Sequence, residues 1–168
     1  MAFREFERLS SNRDPSGHER LGALFHHSEL GFGETIARML SPASRVSYHC
    51  LIDADGTRCT LVPDLQIAWH AGHSRFLGRD GCNAFLLGVA FAGDTYAAPL
   101  TEAQIASALE WLDARWVPLG WGTGRVADHR QVSPGRKRDL DPAQWDRLAA
   151  AIAGHFGGAP ARERVSGL

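Results

Sequence analysis

The sequence predicts one α/β domain, a central mixed β-sheet flanked by helices, and three observations carry that prediction. The run AFLLGVAFAG at 84–93 is nearly all apolar, the form of a central strand buried on both faces. In VSYHCLIDADGTRCTLVP at 46–63, two β-rich runs surround an Asp-Ala-Asp-Gly turn, as in a hairpin with a short glycine-containing loop. Helical patterns separate and follow these strands, which places helices against the sheet.

Taken in order, residues 1–20 are polar and carry Pro15 and Gly17, so they read as a lead-in with little structure of its own. Leu21 to Phe25 is a short apolar run ending at His26-His27, as a buried strand delivering polar side chains at its tip would. GETIARML at 33–40 is helical and Pro42 closes it. After the hairpin, residues 64–83 hold Gly, His and Asp without a sustained period and read as a long loop over one face. Beyond the central strand, Thr101 and Gln104 form a capping box, and Ile105, Leu109, Leu112 and Trp116 give the following helix an apolar stripe. Residues 124–142 read as a loop with two prolines, and Asp141 or Pro142 opens a last helix, AQWDRLAAAIAGHF. The domain so defined spans 21–156, with 157–168 an unstructured tail rich in Gly, Ala and Arg.

Composition narrows the partners. Apolar residues make up 44% of the 168-residue chain and charged residues 22%, ordinary globular values. A formal net charge of -1 offers no long-range attraction for nucleic acid or an anionic membrane, so neither is expected as a partner. No stretch approaches the roughly 20 apolar residues of a membrane helix. The opening MAFREFERLSSNRDPSGHER is too charged for a secretory signal, so a cytoplasmic location is expected. Cys50, Cys59 and Cys82 are too few and too odd in number for a disulfide framework and read as free buried thiols.

Eight histidines are more than this composition explains, and imidazole is the commonest metal ligand. His26 follows a buried strand, and His129 lies ten residues before Asp139 in a loop with Pro134 and Gly135. Two nitrogens and one oxygen on tetrahedral zinc leave a fourth position open, the pattern of catalytic rather than structural Zn2+. No H-E-x-x-H or C-x-x-C signature accompanies them, so spacing alone leaves the set open.

Five pieces in order, FHHSE at 25–29, the hairpin 46–64, AWHAGHS at 68–74, Asn83 with LGVAFAG at 87–93, and HRQVSPGRKRDLDP at 129–142, resemble the type 2 N-acetylmuramoyl-L-alanine amidases. That family includes muropeptide-recycling amidases, amidase-type phage endolysins and peptidoglycan recognition proteins. The resemblance implies a zinc site in a cleft at strand ends, with His26, His129 and Asp139 as ligands and Lys137 stabilising the oxyanion. It also implies that Tyr48 stands beside the metal, as in some phage enzymes, and that Trp69, His70 and Asn83 line the substrate cleft. The implied reaction is hydrolysis of the amide between N-acetylmuramic acid and L-alanine, on a peptidoglycan or muropeptide substrate, by a monomer. A phage-encoded enzyme reaching the wall without a signal peptide is the alternative to cytoplasmic recycling.

One position departs from the family. The strand that reads I-G-I-E in recycling amidases is Leu87-Gly88-Val89-Ala90 here, so alanine stands where the glutamate general base would be. Losing such a base costs about 10² to 10⁴ in rate. Ala90 is then a designed change that traps substrate, or Glu29 or Tyr48 substitutes, or the chain is a peptidoglycan-binding protein without turnover. A zinc hydrolase of a different amide is the remaining alternative.

Overall fold

The computed structural model describes residues 2–157. Its elements are β1 (Glu5–Glu7), β2 (Arg13–Asp14), β3 (Gly22–His27), α1 (Phe32–Leu40), β4 (Cys50–Ile52), β5 (Arg58–Thr60) and β6 (Ile67–Ala68). There follow β7 (Arg75–Phe76), β8 (Arg79–Asp80), β9 (Leu86–Phe91), α2 (Glu102–Trp116), β10 (Val126–Asp128), α3 (His129–Val132) and α4 (Pro142–Phe156). Six strands form the main sheet in the order β1-β5-β4-β9-β3-β10. Only the β4–β5 hairpin is antiparallel, so the sheet is mixed as expected.

Alternation along the buried strands sorts their side chains between two layers. Ala23 and Phe25 of β3 and Leu87, Val89 and Phe91 of β9 face α2 and α4 in the largest apolar cluster. The residues between them, Leu24, His26, Leu86, Gly88 and Ala90, therefore share the opposite face. There Leu24 and Leu86 pack with Ala71 of the long loop and with Phe85 just before β9, and Ala90 packs with Ile36 and Met39 of α1. Because β3 and β9 are buried on both faces, their sequences carry near-continuous apolar runs. Cys50 and Cys59 fall into clusters on opposite faces, and both thiols are free and buried.

Two expectations are corrected. Residues 1–20 are not an unstructured lead-in: β1 pairs in parallel with β5 as an edge strand, and the buried Asn12 amide donates to the carbonyls of Ser41 and Val46. Those bonds tie the segment to the end of α1 and give it an ordered place without an apolar period of its own. The second concerns 124–142, which holds a strand, β10, paired with β3 through Val126–Asp128, and the short helix α3. Three residues inside a polar stretch are too few to show a period, and the sheet edge supplies the pairing. The long loop 64–83 likewise contains β6, which pairs with β2 of the N-terminal segment, and the short pair β7–β8. The tail expected at 157–168 lies, apart from Gly157, outside the described residues. Among the described residues no helix is long and apolar enough to cross a membrane.

Candidate metal centre and cleft

The chain brings His26, His129 and Asp139 together at the C-terminal ends of adjacent parallel strands, where α/β sheets commonly place their sites. His26 is delivered by β3, and His129 follows β10 as the first residue of α3. Asp139 comes from the loop beyond, pinned by two bonds. Arg130 N–H donates to the Asp139 carbonyl (2.8 Å), and Leu140 N–H donates to the buried Asp128 carboxylate (3.2 Å). Asp128 also caps α3 by accepting from Gln131 N–H (3.1 Å), so one carboxylate fixes the start of the helix bearing His129 and the loop bearing Asp139. Sequence reasoning missed Asp128. Its signal was available: an aspartate directly before a short helix is a preferred cap.

The three ligand atoms form a small triangle. His26 Nδ1 lies 3.0 Å from His129 Nδ1 and 3.4 Å from Asp139 Oδ2, and His129 Nδ1 lies 3.3 Å from Asp139 Oδ1. Tetrahedral zinc with ligands about 2.0–2.1 Å away separates them by about 3.3 Å, so the donor set fits zinc in kind and spacing. The outer ring nitrogens are already engaged: His129 Nε2 donates to the Ala71 carbonyl (3.1 Å), and His26 Nε2 meets His70 Nδ1 (2.9 Å). Two imidazole lone pairs and a carboxylate therefore converge, all three residues buried. Burial, followed by the neighbouring His129 ring, lowers the His26 pKa to about 4, so that imidazole is neutral near pH 7. Burial opposes the Asp139 charge, yet the two facing imidazoles hold its carboxyl well below the usual carboxylate range. One proton can bridge only one pair of these atoms, whereas a divalent cation satisfies all three.

A cleft of about 380 Å³ opens over the triangle. Tyr48 stands on its wall with its ring centroid 5.3 Å from that of His26. Burial, and then the Asp139 charge, raise its phenol pKa. Lys137 reaches the cleft from the exposed loop 134–138 and has no ion-pair partner among the described residues. Its neighbour Arg136 is committed elsewhere, donating to the carbonyls of Ala71 and His73 and so fastening the two loops that frame the site. Trp69 lines both this cleft and an adjoining cavity of about 300 Å³ bounded by Arg45, Gly72 and Asn83.

Three further positions differ in what they offer a ligand. His70 borders both cavities, but its ring nitrogens are taken by His26 and the Leu86 carbonyl (2.9 Å each), leaving neither for substrate. The Asn83 side-chain oxygen accepts from the N–H groups of His70 and Ala71 (3.0 and 2.7 Å), so it shapes the loop rather than reaching out. Ala90 sits directly opposite His26 across β3–β9, fully buried, with Tyr48 packed against its cluster. Glu29 is on the cleft wall and exposed, while His27 is buried and bonded to Thr95.

The chain is similar to several known proteins. The family model described as N-acetylmuramoyl-L-alanine amidase matches residues 16–144. The 1,6-anhydro-N-acetylmuramyl-L-alanine amidase AmpD of Salmonella typhimurium is 39% identical over 114 residues, covering 65% of this chain and 58% of that protein. The N-acetylmuramoyl-L-alanine amidase AmiD of Escherichia coli is 27% identical over 159 residues, covering 85% of this chain and 56% of that one. The chain thus spans less than two thirds of the length of these curated relatives. Among solved structures, a selenomethionine derivative of AmpD aligns with a TM-score of 0.74 at 27% identity, covering 89% of this chain and 94% of that one. The E. coli AmiD complex with anhydro-N-acetylmuramic acid-L-Ala-D-γ-Glu-L-Lys shares the fold, with a TM-score of 0.66 at 24% identity over 82% and 59% of the two chains.

Proposed function

The chain belongs to the N-acetylmuramoyl-L-alanine amidase family, and on that premise we propose that it hydrolyses the amide between N-acetylmuramic acid and L-alanine, using zinc held by His26, His129 and Asp139. The observation that carries this reading is the buried triangle of two imidazole lone pairs and a carboxylate at the floor of the cleft. When bound there, zinc supplies Lewis acidity toward the scissile carbonyl and the attacking water.

This chain's own groups do the rest. Attack on an amide carbonyl builds negative charge on its oxygen, and the Lys137 ammonium, with no ion-pair partner among the described residues, is the cation proposed to meet it. The raised pKa of Tyr48 keeps its phenol protonated, so its hydroxyl orients the nucleophile by hydrogen bonding and is a poor proton acceptor. The carboxylate left on the cleft wall to take the proton is Glu29, in place of the glutamate absent at position 90. Trp69 offers an aromatic face between the two cavities, one for the muramyl unit and one for the stem peptide. All these residues come from one chain, so a single copy suffices to build the site, and a monomer is the proposed state. The names of the AmpD relatives favour soluble 1,6-anhydromuramyl peptides over intact wall as substrate, and with them a recycling role in the cytoplasm.

Fully buried Ala90 favours one second reading, a peptidoglycan-binding protein without turnover. Incubation with anhydromuropeptides and with sacculi, with and without a chelator, separates the two by the appearance of a free L-alanine amino group. Chelator-sensitive release from the soluble fragments supports the amidase. Binding without release in added zinc leaves the second reading, and cleavage of no muramyl amide with no binding refutes both.

A further inference from the structure

We infer that His70 is a positioning residue that sets the tautomer of His26, and that the short segment His70-Ala71 orients both imidazole ligands of the metal. The inference rests on the zinc site proposed above and deepens it. A neutral imidazole can carry its proton on either nitrogen, and what the second nitrogen meets decides which one is left for a metal. For His26 the metal-facing atom is Nδ1, so the proton must sit on Nε2. That nitrogen faces His70 Nδ1 at 2.9 Å, and the pair works only if His70 accepts. His70 can accept because its own proton is drawn to Nε2, 2.9 Å from the Leu86 carbonyl, a group that cannot donate. The next residue settles the other ligand, since the Ala71 carbonyl takes the proton of His129 Nε2.

The surroundings hold this segment in place. Asn83 accepts from the N–H groups of both His70 and Ala71. Gly88, on the same sheet face as His26, provides the seat: a Cβ there would lie 2.5 Å from His70 Cγ and 2.8 Å from its Nδ1. Gly88 is itself gripped by His49, whose ring Nδ1 accepts from Gly88 N–H and whose backbone N–H donates to the Gly88 carbonyl, both at 2.9 Å. The series ends at the Leu86 carbonyl, so it locks polarity and cannot conduct a proton onward.

The test uses metal-free protein with ¹⁵N-labelled histidine and a chromophoric chelator competing for zinc. The wild type is expected to show His26, His70 and His129 as Nε2–H tautomers. His70→Leu should let His26 populate the Nδ1–H form and weaken zinc binding by roughly 10- to 100-fold. His70→Asn, whose amide oxygen takes the place of the accepting nitrogen, should keep affinity near the wild type. A folded His70→Leu with undiminished zinc affinity overturns the inference, as does a wild-type His26 found as Nδ1–H, which decides the matter even where the leucine variant does not fold. No substrate enters either measurement, so inactivity on muramyl amides would sink the proposed function and leave this inference standing. A wild type that takes up no zinc would sink both.

Discussion

At the scale of single residues the site separates holding a metal from using it. Asp139 is the one anion in the triangle, buried and facing both Nδ1 atoms, so Asp139→Ala leaves two imidazoles with no anionic ligand, too few to bind a divalent cation firmly. The expected outcome is a folded protein with far less than stoichiometric zinc after dialysis. Undiminished zinc by elemental analysis would refute the ligand set. Lys137 is different in kind, being exposed and outside the triangle. Lys137→Met should keep zinc and KM while lowering kcat by about 10² to 10³, the usual cost of removing one donor to a developing oxyanion. Unchanged kcat would make it a solvated loop charge. The candidate ligands were legible through the family's order of motifs, with His26 after a buried strand and His129 and Asp139 in the segment read as a loop. His70 was legible as a residue of the site, and its role was not. A lone loop histidine carries no sign of which nitrogen is free, and the sequence reading placed on the substrate a ring whose two nitrogens are both bonded within the protein.

At the scale of elements, β9 decides what can replace the missing glutamate. Its alternation puts Ala90 on the metal face opposite His26, in an apolar cluster with Ile36, Met39 and Leu51, and the Tyr48 ring packs against that cluster. The sequence alone suggests that Ala90→Glu restores a base. The structure adds that the carboxylate must enter space lined by apolar side chains and a tyrosine. Ala90→Glu alone should therefore lower stability by about 1–3 kcal/mol, the usual range for overpacking, seen as a fall in Tm. Tyr48→Ala with Ala90→Glu opens room for the new side chain and should recover part of that loss. If the single variant is as stable as the wild type, Tyr48 does not fill the glutamate's space. β9 and the hairpin were readable because an unbroken apolar run and an Asp-Gly turn are local signals. β1 and β10 were not, because each is three residues long and is made a strand by its neighbour in the sheet.

At the scale of the whole molecule, burying this many histidines ties folding to pH. His49 lies outside the metal triangle, and its pKa is lowered to about 3, mainly by burial and then by the neighbouring His18. His18 is lowered too, again mainly by burial, with the nearby charges of Asp64, Arg20 and Glu19 partly cancelling. Arg115 and Asp64 act on His49 with opposite signs, so burial sets the direction for both rings. In the unfolded chain both take up protons as pH falls through the ordinary imidazole value of 6.5, while the folded protein resists. The unfolded state then binds more protons, so stability falls as pH falls. Their contribution is complete above pH 6.5 and is lost progressively toward about pH 3, the folded value for His49. Calorimetry on the metal-free protein should show Tm dropping steadily through that window, and more gently in His49→Gln, which keeps a polar group but no titration. Metal-free protein removes the acid sensitivity that bound zinc would add, and because His26 is also lowered by burial, the comparison with His49→Gln is what isolates the His49 share. A Tm flat between pH 6.5 and about 4 would show that the buried rings are reached by protons in the folded state as readily as in the unfolded chain.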